Sequence, residues 1–110
     1  MKIFNKTLII SGGETDIDFA KEYLEKHKFD TVVCADSGLN AAYDLGIKVD
    51  YFMGDFDSVS TDVLKLYMDR KISNSTDAEF VQYPTEKDAA DTEIVLDFVL
   101  ANKPSSIVIL

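Results

Sequence analysis

The stretch Tyr51-Phe52-Met53-Gly54-Asp55-Phe56-Asp57-Ser58 decides the fold that this sequence predicts. Its apolar run over residues 51–53 predicts a short strand buried on both faces, which is typical of a parallel sheet covered by helices. Gly54 ends the strand, and two acids follow at its carboxyl end, which is the edge where open α/β sheets bind ligands. Asp55 and Asp57 are two residues apart, so in extended chain both carboxylates project to the same side.

This pair of acids predicts a site for a divalent cation. Two carboxylates that face the same way repel each other unless a cation lies between them. Mg²⁺ accepts such oxygen ligands and usually keeps waters and substrate phosphates as the rest of its shell. We therefore expect Asp55 and Asp57 to bind Mg²⁺, although Asp-x-Asp is also typical of structural turns and helix N-caps in an acidic chain.

Length and composition restrict the class of protein. The 110 residues suffice for one domain, and a hydrophobic content of 46% is that of an ordinary globular protein. Twenty acids against 11 Lys and Arg give a formal net charge of −9. Because no basic patch is present, we expect neither nucleic acid nor an anionic membrane as the main partner. Nucleotides remain possible, since backbone N–H groups and a metal can bind their phosphates.

The single cysteine, Cys34, indicates a cytoplasmic protein, because it can form no disulfide within the chain. It lies in an apolar run over residues 31–35, where we expect a buried structural thiol. The amino-terminal residues are interrupted by charge before any long apolar run, so no signal peptide is predicted. No run approaches the roughly 18 apolar residues of a membrane span.

Strands and helices alternate along the whole chain. The predicted strands cover residues 7–10, 31–34, 51–53, 80–83 and 106–110. The first two predicted helices run from Asp16 to about residue 27 and over residues 39–45, with Gly46 as the C-terminal cap of the second. The third runs from an N-cap at Ser60 to residue 68. The fourth covers about residues 89–102, and its buried side is expected to hold Ala90, Ile94, Phe98 and Ala101. The polar segment 71–78 predicts an exposed loop.

This alternation favours an α/β fold, namely a Rossmann-like three-layer α/β/α sandwich with a mainly parallel sheet. The sequence stops at Leu110 within the fifth strand, with no turn or helix after it. A parallel strand normally buries both faces, so we expect residues 1–110 to be the amino-terminal part of a longer protein, or a partner to supply the cover.

The residues that could carry chemistry follow the carboxyl ends of the predicted strands. They are Ser11, Gly12, Gly13, Asp36, Ser37, Gly38, Asp55, Asp57, Lys87, Asp88 and Asp91. In a helix, Asp88 and Asp91 would share one face about one turn apart. The Gly12-Gly13 turn matches neither a P-loop nor a dinucleotide fingerprint, and Lys87 alone is typical of a solvated surface lysine. We expect all these residues to meet at one edge of the sheet, and this shared location is what indicates a functional site.

Four motifs in this order resemble the catalytic domain of thiamin pyrophosphokinases. They are Ser11-Gly12-Gly13, Ala35-Asp36-Ser37-Gly38, Gly54-Asp55-Phe56-Asp57-Ser58 and Tyr83-Pro84-x-Glu86-Lys87-Asp88-x-x-Asp91. The resemblance covers nearly the whole chain. It implies Mg²⁺-dependent transfer of a pyrophosphoryl group from ATP to the hydroxyl of thiamin, which gives thiamin diphosphate and AMP. It also implies a homodimer with its site near the interface.

The resemblance further implies roles for individual residues. Asp55, Asp57, Asp88 and Asp91 would be metal-binding or catalytic acids, while Asp36, Lys87 and the two glycine turns would line the nucleotide site. Ala90 departs from the family, which often has Thr before the last acid. The family's later motif of Gly, Arg, Asp and His and its carboxyl-terminal β-domain, which helps to bind thiamin, would lie beyond Leu110.

Two other functions compete with this interpretation. A phosphatase can use an aspartate nucleophile from an Asp-x-Asp-x-Thr motif, but that motif follows the first strand, whereas here the pair follows the third and Ser58-Val59 comes next. The second alternative is a non-catalytic module that binds Mg²⁺ and a nucleotide. The sequence does not assign metal binding and proton acceptance between Asp88 and Asp91.

Overall fold

The computed structural model describes residues 5–11, 16–35, 38–54, 61–82 and 91–110. The strands are β1 Lys6–Ile10, β2 Thr31–Ala35, β3 Tyr51–Gly54, β4 Glu79–Gln82 and β5 Ser106–Ile109. The helices are α1 Ile17–Lys26, α2 Gly38–Leu45, α3 Thr61–Met68 and α4 Asp91–Ala101, with one 3-10 turn at Ser73–Ser75. The predicted order of elements is confirmed. No helix in this described part is long and apolar enough to cross a membrane.

The five strands form one sheet in the order β4-β3-β2-β1-β5, and every pair of neighbours is parallel. The α/β fold class with a mainly parallel sheet is therefore confirmed. From β1 to β4 the chain adds strands in one direction, and it then returns across the sheet to place β5 beside β1. Because parallel crossovers are right-handed, this reversal moves the crossover helix to the other face of the sheet.

Each face of the sheet carries its own core. Helices α1, α2 and α3 cover the face formed by even-numbered strand residues such as Leu8, Cys34 and Phe52. Helix α4 covers the opposite face through Val95 and Val99, which are fully buried. Alternate strand residues point to opposite faces, so the continuous apolar strands fill both cores. Each fully buried Leu, Ile, Val or Phe contributes about 1.5–3 kcal/mol.

Helix ends follow the predicted signals where the structure describes them. Asp16 caps α1, since its Oδ1 accepts the backbone N–H of Phe19 at 3.0 Å. Gly46 follows α2 with a φ of +69°, and its N–H donates to the Ala42 carbonyl at 3.0 Å. The expected N-cap at Ser60 lies outside the described residues.

The predicted buried side of α4 is shifted by one residue. Val95 and Val99 are fully buried, whereas Ile94 and Phe98 pack beside them half-buried and Ala101 is exposed. Ala90 lies outside the described residues. The second half of α4 is apolar on almost every side, so its periodicity does not decide which residues face the sheet.

The expectation of an exposed loop over residues 71–78 was wrong for two residues. Ser75 and Ala78 are buried, with exposed fractions of 1% and 0%. Ser75 Oγ accepts the backbone N–H of Val49 at 2.8 Å and donates to Asn74 Oδ1 at 3.1 Å. A guanidinium N–H of Arg70 donates to the Ala78 carbonyl. The turn-forming residues correctly predict a break in regular structure here, but they do not indicate whether the turn is buried.

Candidate functional site

The carboxyl ends of all five strands lie at one edge of the sheet, because every pair is parallel. Pairing places Ile10 beside Cys34, Ala35 beside Met53, and Gly54 beside Gln82. The predicted site residues follow these strand ends in the sequence. The strand order reverses at β1, which has β2 on one side and β5 on the other. In open α/β sheets, ligands bind at the carboxyl edge where such a reversal occurs.

Ser11, directly after β1, is held against the last residue of the chain. Its backbone N–H and its hydroxyl both donate to the Leu110 carbonyl, at 3.1 and 3.0 Å. The Leu110 N–H in turn donates to the Ile9 carbonyl at 2.8 Å. The half-buried hydroxyl of Ser11 therefore donates within the protein, and its oxygen keeps only acceptor capacity for a ligand.

Gly38 is the first residue of α2 and is buried against the end of β1. A Cβ atom at this position would lie 2.1 Å from the carbonyl oxygen of Ile10 and 3.2 Å from that of Ser11. Only glycine permits so close an approach of two backbone segments. The beginning of α2 and the turn that starts at Ser11 are consequently in direct contact, which joins two of the predicted nucleotide-binding segments.

The predicted acids are described only in part. Asp91 is the first residue of α4, and the structure describes its backbone without its side chain. The remaining predicted site residues lie outside the described residues: Gly12, Gly13, Asp36, Ser37, Asp55, Asp57, Lys87 and Asp88. Their contacts remain predictions. Within the described ranges, no group of three His, Cys, Asp or Glu side chains could hold a metal ion.

Cys34 is a buried structural thiol, as predicted. Its exposed fraction is 0%, and burial, with a smaller contribution from Asp50, raises the pKa of the thiol far above its ordinary value. The nucleophile in cysteine chemistry is the thiolate, so this side chain is inert at neutral pH. Cys34 contributes to the core beneath the candidate site and takes no part in its chemistry.

Asp50 lies at the opposite edge of the sheet, and the sequence analysis did not single it out. Asp50 is 4% exposed, and its carboxylate accepts the backbone N–H of Val32 at 2.8 Å and lies 3.6 Å from Lys48 Nζ. Its signal in the sequence is an acid immediately before a buried strand, two residues after a lysine. These contacts join the starts of β2 and β3, so Asp50 has a structural role.

A hollow of about 330 Å³ opens at this same amino edge, beside Leu24, His27 and Phe29. Its floor is formed by the buried residues Leu8 and Val32, and none of the acids among the described residues lines it. Magnesium requires oxygen ligands such as carboxylates, and the described lining of this hollow contains no carboxylate. The acids that could hold a metal follow the carboxyl ends of the strands, so the carboxyl edge is the candidate active site.

Residues 20–110 match the family model described as thiamin pyrophosphokinase, catalytic domain. A thiamine pyrophosphokinase from Bacillus subtilis has a similar solved structure, with 24% identity and a TM-score of 0.71 over 96% of this chain and 46% of that one. The enzyme from Geobacillus thermodenitrificans is 26% identical, with a TM-score of 0.66 over 94% and 45% of the two chains. That from Candida albicans is 25% identical, with a TM-score of 0.62 over 86% and 31%. The chain thus spans about half the length of the bacterial relatives, and no curated protein sequence matches it.

Proposed function

The chain belongs to the thiamin pyrophosphokinase family, and from this membership we propose that the full-length protein makes thiamin diphosphate from thiamin and ATP. The hydroxyl oxygen of thiamin attacks the β-phosphorus of ATP, and the bond from that phosphorus to the α–β bridging oxygen breaks. AMP leaves with the bridging oxygen, and the hydroxyl proton passes to a base. The all-parallel sheet carries the proposal, since it brings the strand ends that precede the predicted acids to one edge.

The donor set fits a hard cation. Two carboxylates directly follow β3 in the sequence, and Asp91 opens α4, so the edge offers oxygen ligands of the kind that Mg²⁺ prefers. We assign Asp55 and Asp57 to the metal. Bound Mg²⁺ would neutralise the negative charge that accumulates on the phosphate oxygens during transfer.

Asp88 and Asp91 hold the remaining roles in this proposal. One of them binds a second ion, or accepts the proton of the attacking hydroxyl as a general base. Asp91 is the first residue of α4.

The nucleotide site is assigned to the turns after β1 and β2. Backbone N–H groups of the segments around Gly12, Gly13 and Ser37 would meet the triphosphate, with Asp36 and Lys87 beside them. The contact between Gly38 and Ile10 supports this assignment, because it joins the two segments directly. A nucleotide could then touch both segments at once.

We assign the binding site for thiamin largely to a carboxyl-terminal β-domain outside these 110 residues. We also propose that the protein is a cytoplasmic homodimer. The chain covers 46% of the similar Bacillus protein, which leaves room for such a domain in a protein of that length. The 110 residues would then supply the nucleotide and metal side of the reaction.

The phosphatase alternative fits the topology less well. The Asp-x-Asp pair follows β3, which is the third strand along the chain. A phosphatase of that class carries its nucleophile after the first strand. A non-catalytic nucleotide-binding module would use the same sheet edge, so an experiment is needed to distinguish it from the proposed enzyme.

The test is to incubate the full-length protein with ATP, Mg²⁺ and thiamin and to measure the products. The proposal predicts equal amounts of AMP and thiamin diphosphate, and no AMP when thiamin is omitted. Release of inorganic phosphate through a trapped aspartyl phosphate would instead support the phosphatase. Binding of ATP without AMP formation would support the module.

A further inference from the structure

We infer that Gly38 is a positioning residue for the nucleotide site. Its lack of a side chain lets α2 rest on the carboxyl end of β1, and this contact sets the distance between Ser11, where the first turn assigned to the nucleotide begins, and Gly38, where the second ends. The inference rests on the proposed function, which assigns both turns to ATP. It gives Gly38 a role through the backbone of Ile10 and Ser11, in addition to any contact that Gly38 itself makes with the nucleotide.

The need for glycine comes from space and not from backbone conformation. Of the described glycines, only Gly46 has a positive φ. At Gly38, an added Cβ would lie 2.1 Å from the carbonyl oxygen and 2.9 Å from the carbonyl carbon of Ile10, and Cβ atoms essentially never come within 3.0 Å of such neighbours. Any side chain would therefore separate the two backbones by about 1 Å.

The end of β1 cannot move away to make this room. Ile10 is fully buried and pairs with Cys34 in the central part of the sheet. Ser11 is held from the other side by its two hydrogen bonds to Leu110. The displacement must therefore fall on the first turn of α2, which directly follows Asp36 and Ser37.

Such a shift would act on ATP in particular. A triphosphate bound by both Ser11 and the beginning of α2 would depend on their separation, because a hydrogen bond is lost when its two atoms move about 1 Å apart. A general loss of stability would affect all ligands alike. Selective weakening of Mg-ATP binding is thus the signature of the positioning role.

Helix α2 offers a matched control at its other end. An added Cβ at Gly46 would have no atom within 4 Å, but the φ of +69° strains any residue with a side chain. Gly46→Ala should therefore destabilise the protein at the amino edge without touching the candidate site. Gly38→Ala and Gly46→Ala make the same chemical change on one helix, once at each edge of the sheet.

The experiment measures Mg-ATP binding to the full-length protein by calorimetry, without thiamin, together with the melting temperature of each variant. Both variants should melt earlier than the wild type. Only Gly38→Ala should raise the Kd for Mg-ATP, by about 10-fold, as expected when one hydrogen bond to a charged phosphate is lost. Equal Kd values for the two variants, at similar melting temperatures, would overturn the inference.

A second measurement covers the case in which Gly38→Ala does not fold in dilute buffer. The Kd values of Gly38→Ala and Gly46→Ala are then compared in trimethylamine N-oxide, which favours the folded state, and equal values would again overturn the inference. If the wild type binds Mg-ATP but releases no AMP with thiamin, the proposed function fails and the comparison of Kd values still decides the role of Gly38. If the wild type does not bind Mg-ATP, both fail.

Discussion

The two edges of the sheet are held together in different ways. At the amino edge, polar side chains bind buried backbone: Asp50 accepts the N–H of Val32, and Ser75 accepts that of Val49. At the carboxyl edge, the described contacts are made by small residues, through the approach of Gly38 to Ile10 and the bonds of Ser11 to Leu110. The fold uses acids for structure at one edge, and the proposed function uses them for chemistry at the other.

This difference has a physical reason. A buried backbone N–H without a partner costs about 1–3 kcal/mol, so Asp50 and Ser75 are needed where β2 and the segment before β3 enter the core. Contacts of small residues with the backbone of their neighbours can join strand ends without the use of carboxylates. We therefore expect substitutions of acids at the carboxyl edge to reduce activity, and substitutions at the amino edge to reduce stability.

The largest expected effect comes from Asp55→Asn. The amide keeps the shape of the carboxylate but loses its charge, so metal binding should weaken and thiamin-dependent AMP release by the full-length protein should fall at least about 100-fold. The melting temperature should change little. Asp57→Asn should behave in the same way.

Asp44→Asn is the matched control for this prediction. Asp44 is an exposed acid on the second half of α2, away from the carboxyl edge. The substitution makes the same change of charge and should leave the rate of AMP release within about twofold of the wild type, since surface substitutions of this kind have small effects. A comparable loss of activity in Asp44→Asn would show that net charge, and not the site, is responsible.

The next effect, on stability, comes from Asp50→Ala at the amino edge. The substitution leaves the buried N–H of Val32 without its acceptor and removes the ion pair with Lys48, so the free energy of unfolding should fall by about 2–3 kcal/mol. Urea denaturation measures this loss. Below the unfolding transition, kcat and the KM for ATP should stay close to wild type, and a selective loss of activity would contradict the separation of the two edges.

A smaller effect is a loss of folding stability at alkaline pH, which arises in the core between the two edges. The thiol of Cys34 has a raised pKa when folded, mainly because it is buried, while in the unfolded chain it ionises near pH 8.5. The unfolded state therefore releases this proton first, so stability is full below about pH 8.5 and falls as the pH rises above it. The expected loss is about 2 kcal/mol by pH 10.

Urea denaturation at several pH values measures this dependence, with Cys34→Ala as the control. The variant is less stable overall, but it lacks the group that titrates first, so its stability should stay nearly constant up to about pH 9.5. Above that, ionisation of unfolded tyrosines adds a second loss, because burial also raises the pKa of Tyr67 in the folded protein. Identical curves for the two proteins would contradict the assignment to Cys34.

Much of the fold could be predicted because local signals agree with it. The apolar runs that contain Leu8, Val33 and Phe52 mark buried strands, and Asp16 and Gly46 mark the ends of helices. The buried face of α4 could not be predicted, since its apolar residues surround the helix. The burial of Ser75 depends on the distant residue Val49, which no local pattern reveals.

The candidate site was predictable to the level of a sheet edge. The rule that parallel strands share one carboxyl edge predicts that the strand ends Ile10, Ala35 and Gly54 lie at the same edge, and the parallel pairing confirms this for the strand ends. The close approach of Gly38 to Ile10 could not be predicted, because a glycine after Asp-Ser reads equally well as an ordinary turn residue. The position of β5 beside β1 likewise depends on the whole topology.

The most direct test of the central claim is whether Mg²⁺ strengthens ATP binding through the acids that follow β3. Calorimetry on the full-length wild type, with and without Mg²⁺, should show tighter ATP binding when the metal is present. In Asp57→Asn this gain should be lost, while binding without Mg²⁺ should change little. If Mg²⁺ strengthens binding equally in both proteins, the metal does not depend on Asp57, and the assignment of the active site to this edge is contradicted.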